Sequence, residues 1–476
     1  MSAAAYLAQA GYSVTVVEKN DQAGGRAYTV QQDGFTWELG PSWYMMPDVF
    51  DEFFADFGKQ VSDFYEIKPL DPSYRVFDNQ PGQLDIGDAA ATVALFDHIA
   101  PGAGQGLSKL LQKTGKEYAA VRRGILTTDW LRWQQAMRPN VLKFLCNPEM
   151  LGSYDRRVNK YVHDDRLKHV LEFMTVFMGG SPQNIPGMYT LLMHVDMGLN
   201  IWYPMGGFGA VARAFERLGT SMGVEYVYNT PVQEIIVKNG SVTGVRTDDG
   251  LVLDCDVVVA NADYHHVQTK LLPKTRADIS PSAWQQKVLS PSGLIISLGV
   301  SKQLPGLQHH NLFFDTDWDA HFRAAFTDKH WSVSPLFYLC VPSKTDPAVA
   351  PLGSENLFVL APQSAGIEPT QHQLDSTVDA IIDRIQQRAG TEFKGSIVAK
   401  DVRTQKYFTN VFNAYQGNAF GLAHTLRQSA LFRPPLKARK VHGLYFAGQY
   451  TNPGTGVPMV VLSGKTVAQV VQKYES

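Results

Sequence analysis

The sequence predicts an α/β protein in which a doubly wound parallel sheet and a β-meander carry an inserted α+β domain. Three observations lead to this fold class. The first residues read as a helix, a β-branched strand and an acidic residue, Glu18. The middle of the chain has three short strands joined by hairpin dipeptides, and the carboxy-terminal end reads as strand, loop and helix. Helices and strands alternate in this way when helices cover both faces of a parallel sheet.

The amino-terminal elements are typical of part of a nucleotide-binding βαβ unit. Residues 2–10 are mostly strong helix formers with Gly11 as a cap, and the strand 14–17 ends at Glu18. In such units the acidic residue lies about 20 residues after a GxGxxG turn and accepts hydrogen bonds from the ribose hydroxyls. Met1 already falls in the helix, so we expect the first strand and its glycines upstream of Met1, as a truncation or a misplaced start.

The next segment, from Asp48 to about Asn200, is predicted to be mainly helical, and its part 101–200 is mildly basic, with 13 Lys or Arg against 8 Asp or Glu. After it, a helix ends near Gly219, and the strands 230–237, 241–247 and 251–253 form the meander. An apolar strand at 257–260 then returns to the first domain. We therefore expect a nucleotide-binding domain built from 1–47, 203–290 and 440–476, and a substrate domain built from 48–202 and 291–439.

Composition excludes several function classes. Lys and Arg number 43 against 45 Asp and Glu, a net charge of −2, so we expect no nucleic-acid partner. Cys146, Cys255 and Cys340 form no CxxC or Cys/His cluster, which fits a reducing cytoplasm. The pairs His265-His266 and His309-His310 lack a third ligand at a metal spacing, so we expect no metal site.

Neither membrane-spanning segments nor a secretion signal is expected. The longest stretches without Asp, Glu, Lys or Arg, 173–195 and 441–464, are interrupted by prolines and asparagines, whereas a spanning helix needs about 20 mostly apolar residues. The first residues lack a basic region before an apolar one. We expect both stretches to lie in the protein interior.

A Gly- and Pro-rich segment from Gly448 to Pro458 precedes the last helix, where backbone N–H groups can face a ligand. This segment occurs together with four other motifs: Glu18 with Gly24-Gly25-Arg26, Gly40-Pro41-Ser42-Trp43-Tyr44, Tyr203-Pro204-Met205-Gly206-Gly207-Phe208-Gly209, and Asn261-Ala262-Asp263-Tyr264. In order and spacing the set resembles the flavoprotein family of amine oxidases and carotenoid desaturases, and within it the bacterial phytoene desaturases.

The resemblance implies a Rossmann-like FAD-binding domain and assigns cofactor contacts. Glu18 would bind the ribose, Arg26 would lie by the pyrophosphate, and Val232 would bond adenine through its backbone. Gly40, Pro41 and Ser42 would lie by the flavin, and Val457, Pro458 and Met459 would place a helix N-terminus at its ring. The implied contact set also includes Gly24, Gly25, Asn261, Gly448, Gln449 and Gly456. Without the GxGxxG turn, we expect the chain as written to bind FAD weakly.

The implied reaction is FAD-dependent desaturation of phytoene to lycopene or a related carotene. Flavin would carry out the redox step, and a quinone or oxygen would accept the electrons. No acid or base is assigned; Asp165 and Arg166 are weak catalytic candidates, and a charged run such as theirs is usually a solvated helix face. Candidates for an apolar substrate lining, which could equally be plain core, are Phe173, Met174, Phe177, Met178, Leu191, Leu192 and Met193.

Such a substrate implies peripheral membrane association by a cytoplasmic enzyme. A segment with Trp130, Arg132, Trp133, Met137 and Arg138 has the aromatic and cationic mix of an interfacial contact, although a helix facing the core would explain it equally. Three alternatives remain at this stage: a desaturase or oxygenase for shorter or hydroxylated carotenoids, a flavin amine oxidase, and a non-catalytic binding module.

Overall fold

The computed structural model describes residues 1–145 and 147–475, so Cys146, one of the three cysteines considered above, lies outside the described residues, as does Ser476. The β-strands are β1 Thr15–Val17, β2 Thr29–Gln32, β3 Phe35–Glu38, β4 Ile67–Pro69, β5 Tyr74–Asp78, β6 Leu84–Ile86, β7 Trp202–Pro204, β8 Glu225–Val227, β9 Val232–Lys238, β10 Ser241–Thr247, β11 Val252–Asp254, β12 Val258–Ala260, β13 Ser292–Val300, β14 His310–Phe314, β15 Phe337–Cys340, β16 Glu355–Gln363, β17 Ile397–Arg403 and β18 Leu444–Phe446.

The α-helices are α1 Ser2–Gln9, α2 Pro47–Ala55, α3 Ala89–Ile99, α4 Ala103–Arg122, α5 Pro139–Leu145, α6 Pro148–Leu151, α7 Tyr154–Val158, α8 Asp165–Glu172, α9 Gly207–Ser221, α10 Tyr264–His266, α11 Pro281–Gln285, α12 Trp318–Phe322, α13 Gln371–Ala389, α14 Gln405–Phe412 and α15 Val457–Tyr474. Short 3-10 and π segments join several of them.

The parallel strands of the nucleotide-binding domain form two pairs. β1 pairs with β8, and β12 pairs with β18, both in parallel. Within the described residues no backbone ladder joins one pair to the other, so the continuous parallel sheet expected from the sequence is present as two halves. The meander β9–β10–β11 is antiparallel, and its Asn239-Gly240 turn has positive φ angles of 51° and 84°, as a type I′ hairpin requires.

The two chain ends pack against each other through α1 and α15. The Ser2 hydroxyl donates a hydrogen bond to the carbonyl oxygen of Val461 at 2.8 Å. The helices approach closely at Gly464, where a Cβ atom would lie 2.6 Å from the Ser2 oxygen. Any side chain at this position would force the helices apart.

The other major layer is a seven-stranded sheet in the order β17-β13-β16-β15-β14-β5-β6. All of its strands come from 48–202 and 291–439, the two segments expected to form the substrate domain. β5 and β6 interrupt the segment predicted to be mainly helical: β5 is buried along its whole length and pairs in parallel with β14, more than two hundred residues away. That pairing, rather than local propensity, makes it a strand.

Helix α13 covers one face of this sheet, as its amphipathic pattern predicts. Val378, Ile381, Ile382 and Ile385 recur at three- and four-residue spacing and are fully buried against alternate residues of β13 and β16. This cluster is one of the two largest parts of the core. The other lies around α4, α8 and the strands β5 and β6.

The amino-terminal end of α9 is held by a half-buried carboxylate, that of Glu38. The backbone N–H of Gly209 donates to Glu38 Oε1 at 2.7 Å. Gly206 and Gly207 have φ angles of 77° and 71°, and a Cβ on Gly207 would lie 2.3 Å from the same carboxylate oxygen. Burial raises the pKa of Glu38 to about 8, and the N–H groups of Gly209 and Phe208 offset this only in part.

We expect Glu38 to make the folded protein less stable as pH rises. Between pH 4.5 and 8 the unfolded chain loses this proton while the folded protein keeps it, so the unfolding free energy falls by up to about 1.4 kcal/mol per pH unit. Glu38→Gln removes that slope but keeps an acceptor for Gly209. Urea unfolding across this pH range measures it, with the exposed Glu392→Gln as control. An unchanged slope in Glu38→Gln would contradict the assignment.

Candidate functional site

Glu18 and the start of β9 lie together at the carboxyl end of the β1–β8 pair. The backbone N–H of Glu18 donates to Val227, and its carbonyl oxygen accepts from Thr230 at 2.9 Å, two residues before Val232. Asn20 donates both its backbone and side-chain N–H groups to Glu18 Oε1 at 2.9 Å. Among the described residues Oε2 has no partner, so one carboxylate oxygen is free to accept ligand hydroxyls.

The Gly24-Gly25 turn needs both of its glycines. Their φ angles are 113° and 56°, in the region that other residues avoid. A Cβ on Gly24 would lie 3.0 Å from Ala212 of α9 and from the carbonyl oxygen of Ala27. The tight turn directs the chain from the strand edge towards Arg26.

Arg26 is the centre of a second group of predicted residues. Its guanidinium donates to the carbonyl oxygen of Asn418 at 3.3 Å. With the amide of Gln449 oriented to present its oxygen, that oxygen accepts from two Arg26 nitrogens at 3.2 Å. The backbone at Gly40 passes so close that a Cβ would lie 2.0 Å from the carbonyl oxygen of Arg26. Arg26, Gly40 and Gln449, which the sequence placed at one cofactor, are therefore neighbours.

Asp263 joins this group, although the sequence reasoning did not select it. The Tyr450 hydroxyl donates to Asp263 Oδ2 at 2.6 Å and accepts from Asn418 Nδ2 at 2.9 Å. Burial raises the pKa of the Asp263 carboxyl. The hydrogen bonds that Asp263 accepts and the charge of Arg26 offset this rise only in part. The sequence signal that could have identified Asp263 is its position in the motif 261–264, two residues after the selected Asn261.

Asn261 connects the ends of the second strand pair. Its side-chain N–H donates to the carbonyl oxygen of Ala447 at 3.0 Å, directly after β18. Gly448, with a φ of 102°, lies so close that a Cβ would be 2.5 Å from Asn261 Nδ2. The carboxyl ends of β12 and β18 thus bring these two predicted site residues together.

The loop after Gly448 is held by Arg433, a second residue that the sequence reasoning missed. This buried guanidinium donates to three carbonyl oxygens, those of Gln428 at 3.2 Å, Thr451 at 3.2 Å and Gln449 at 2.6 Å. Burial lowers the pKa of Arg433 to about 10, so it stays charged at neutral pH. Its function depends on where two distant loops meet, which local sequence does not reveal.

The loop after Gly448 leads to the N-terminus of α15, which begins at Val457. Gly456 has a φ of 107°, and Val457, Pro458 and Met459 are partly exposed in the first turn. No side chain caps this helix end. Among the described residues, the nearest atom to a Cβ built on Gly456 would be Met459 Cγ at 3.9 Å, so the space beside Gly456 is open to a ligand. Free N–H groups and the helix dipole suit an electron-rich ring edge.

The segment 40–42 leads from Arg26 into an apolar cluster. The hydroxyl groups of Ser42 and Tyr338 form a hydrogen bond of 2.8 Å. The ring centroid of Trp43 lies 5.8 Å from that of Phe173 and 5.9 Å from that of Phe177. The predicted lining residues Met174, Met178, Leu192 and Met193 belong to the same cluster, whereas Leu191 packs against α2 and α9. Pro41 lies between Gly40 and Ser42 and is half-buried.

Asp165 and Arg166 lie elsewhere, at the start of α8. The Asp165 side chain is 81 % exposed and pairs with Lys168 at 2.6 Å, which lowers its pKa. Arg166 pairs with Asp78 at the end of β5. Both residues are thus engaged in ion pairs at the start of α8, and a catalytic role for them stays a prediction.

Comparison with known proteins decides the family. The sequence profile described as "Flavin containing amine oxidoreductase" matches residues 1–472. The chain belongs to this family. A carotenoid 3,4-desaturase of Haloarcula japonica is 38 % identical over 99 % of this chain and 95 % of its own length. The zeta-carotene-forming phytoene desaturase of Myxococcus xanthus is 31 % identical over 98 % of this chain and 91 % of its own length.

Solved structures agree on the fold. An oxidoreductase of Methanosarcina mazei has a TM-score of 0.63 at 17 % identity, covering 98 % of this chain and 97 % of that one. A putrescine oxidase has a TM-score of 0.62 at 13 % identity, covering 99 % and 96 %. These structures confirm the α/β fold class expected from the sequence. The family match over residues 1–472 confirms the expected oxidoreductase class and the cofactor FAD.

The residues present fit FAD. Glu18 offers a free carboxylate oxygen beside the segment that leads to Val232, as ribose and adenine binding requires. Gly456 leaves open space at an uncapped helix end, as a planar ring at this end requires. The individual contacts remain our assignment.

We expect Gly456→Val to weaken FAD binding at least tenfold, because the side chain would fill the open side of the α15 N-terminus. A positive φ alone costs roughly 1–2 kcal/mol for such a residue. Gly353→Val is the matched control, since Gly353 has a φ of 76° with no atom within 4 Å of a Cβ. Bound flavin per chain is measured by absorbance. Equal flavin content in the two variants would contradict the assignment.

We expect Arg433→Met to destabilise the loop 448–452, because three buried carbonyl oxygens lose their donor. The loss should be about 2–5 kcal/mol of unfolding free energy, accompanied by weaker FAD binding. The control is Arg427→Met, because Arg427 is exposed and lies six residues before Arg433. Denaturant unfolding with and without FAD measures both effects, and wild-type stability in Arg433→Met would contradict this role.

Proposed function

We propose that this chain is an FAD-dependent carotenoid desaturase that introduces double bonds into an apolar C40 chain, with phytoene to lycopene as the reaction expected from the sequence. The similarity to a carotenoid 3,4-desaturase at 38 % identity along nearly the whole chain is the observation that carries the proposal. That relative also makes 3,4-desaturation of a carotenoid the second candidate.

The proposed substrate fits the surroundings of Trp43. The Trp43 ring lies among Phe173, Phe177, Tyr74 and Tyr338, and this cluster begins directly after the segment assigned to the flavin. A hydrocarbon has no groups that could form hydrogen bonds, so apolar contact and shape must bind and orient it. FAD, when bound, supplies the two-electron oxidation. The chain's own contribution is to hold the polyene there and to exclude water.

A flavin amine oxidase is the less favoured alternative. It would need an aromatic cage and an active-site lysine. None of the lysines whose side chains the structure describes is among the buried residues. A 4,4'-diapolycopene oxygenase of Methylomonas is also 31 % identical over 98 % of this chain, which keeps oxygenation of a carotenoid as an outcome to test.

Expression in a host that accumulates phytoene tests the proposal. We expect coloured carotenes with longer conjugation, and lycopene if the first candidate is correct. A matched host that accumulates lycopene tests 3,4-desaturation, and oxygenated products would indicate the oxygenase. Unchanged pigments in both hosts, with folded and flavin-loaded protein present, would contradict the proposal.

Peripheral membrane association is part of the proposal. About 0.8 kcal/mol per CH₂ keeps a C40 hydrocarbon in lipid, so the enzyme has to reach it there. In the described parts of the chain, no helix is long and apolar enough to span a bilayer. Trp133 and Met137 are 67 % and 56 % exposed, whereas Trp130 is 9 % exposed and is therefore not available as a contact.

We expect Trp133→Glu together with Met137→Glu to reduce binding to anionic liposomes at least fivefold, because both apolar side chains protrude beside Arg132 and Arg138. Leu352→Glu is the control, since Leu352 is a fully exposed apolar residue outside this segment. Flotation with the vesicles measures binding. Equal flotation of the double variant and the wild type would exclude this segment as the contact.

The electron acceptor is proposed to be a quinone or oxygen. Anaerobic reduction of the enzyme by its carotene, followed by addition of quinone-loaded vesicles or of oxygen, compares the two reoxidation rates. Faster reoxidation identifies the acceptor. Failure of both would exclude them.

A further inference from the structure

A cluster of two histidines and a cysteine lies in the substrate domain, outside the contacts assigned to FAD. One ring nitrogen each of His309 and His310 and the Sγ atom of Cys340 lie within 4.8 Å of one another, and all three residues are buried. Spacing along the sequence did not reveal a third ligand for the histidine pair. The sheet supplies it, because His310 and Cys340 are register partners on β14 and β15.

The histidines have the arrangement of metal ligands. His309 Nδ1 is bonded to the Thr345 hydroxyl and His310 Nδ1 to the Tyr338 hydroxyl, both at 2.7 Å. Metal-binding histidines bond their second ring nitrogen in the same way, which fixes the ring and the tautomer. Neither Nε2 atom has a hydrogen-bond partner within 1–145 and 147–475, although both are buried. With the ring proton assigned to each Nδ1, both Nε2 atoms are buried, unpaired acceptors, whose desolvation penalty a cation at this point would offset.

The two histidines and the cysteine differ in what a cation requires of their protons: the rings are already neutral, whereas the thiol has to lose its proton. Burial holds the pKa of His309 near 3 and lowers that of His310, so both rings stay neutral and keep a lone pair. Burial raises the pKa of the Cys340 thiol to about 12, and Glu38 contributes to this shift through its charge. A bound cation would displace the thiol proton and would be faced by one negative group, the thiolate, because Glu38 keeps its proton at neutral pH.

We propose that His309, His310 and Cys340 bind one Zn²⁺ ion. Two neutral imidazoles and a thiolate form a donor set typical of zinc, and the fourth position of the tetrahedron is left for water. Ligand atoms around Zn²⁺ lie roughly 3.3–3.8 Å apart, so the side chains must draw together by about 1 Å. On binding, the thiol S–H bond breaks, a Zn–S bond forms and one proton is released to solvent.

The proposed ion would lie next to residues 42 and 43, at the end of the segment 40–42 that we assign to the flavin. The Trp43 ring stacks on His310, with ring centroids 4.7 Å apart and planes inclined by 9°, and Ser42 bonds to Tyr338, the partner of His310. Zn²⁺ would therefore tie the β14–β15 pair to residues 42 and 43. This inference is independent of the carotenoid substrate.

Metal analysis of the full chain with FAD tests the site. After removal of metal with EDTA, the protein is equilibrated with Zn²⁺ alone, desalted and analysed for zinc. We expect one Zn²⁺ per chain in the wild type and at least tenfold less in His309→Gln and Cys340→Ser. His265→Gln is the histidine control. Wild type without stoichiometric zinc, binding of Cu⁺ but not Zn²⁺, or zinc retained in both variants would overturn the proposal.

A second variant does not depend on the folding of the ligand variants. Cys146→Ser with Cys255→Ser leaves Cys340 as the last of the three cysteines. We expect this double variant to keep full zinc, to release one proton per ion, and to show a sulfur-to-cobalt charge-transfer band when loaded with Co²⁺. Absence of that band in the folded double variant would show that Cys340 is not a ligand and would overturn the site.

Discussion

The Arg26 guanidinium, held between the two chain ends, is the interaction on which the site depends. Its neighbours come from three distant segments: Gln449 follows the last strand, Asn418 precedes it, and Asp263 follows the returning strand β12. A partly buried cation must be matched by acceptors and negative charge, so these loops are constrained to meet. The positive-φ glycines allow the backbone to come close enough. The surface that we assign to FAD would be a consequence of this convergence.

The polar and the apolar contacts available to ligands come from different parts of the structure. The α15 N-terminus and Glu18 supply polar contacts for a cofactor, whereas the cluster around Trp43 supplies apolar contact. The segment 40–43 belongs to both regions, because Gly40 touches the backbone of Arg26 and Trp43 enters the apolar core. A short, rigid connection of this kind would hold a hydrocarbon against an oxidising ring without any polar anchor on the substrate.

Local signals predicted local structure well. Asn239-Gly240 forms the expected turn, and the periodic apolar residues of α13 are buried on one face. The resemblance assigned Arg26, Gly40 and Gln449 to one cofactor, and the three residues lie next to one another, while their contacts with FAD stay a prediction. Features that depend on pairing across the chain were missed: β5 is a strand because β14 lies beside it, and Cys340 meets His310 through strand register. Arg433 was missed for the same reason, since its role is set by which carbonyls surround it.

Anaerobic mixing of the FAD-loaded protein with carotene in vesicles tests directly whether the site oxidises a hydrocarbon. The absorbance of the flavin is followed after mixing. We expect bleaching of the oxidised flavin band together with one new carotene double bond per flavin, and no bleaching by putrescine. Bleaching by the amine but not by phytoene or other carotenes would contradict the assignment of a hydrocarbon-oxidising site.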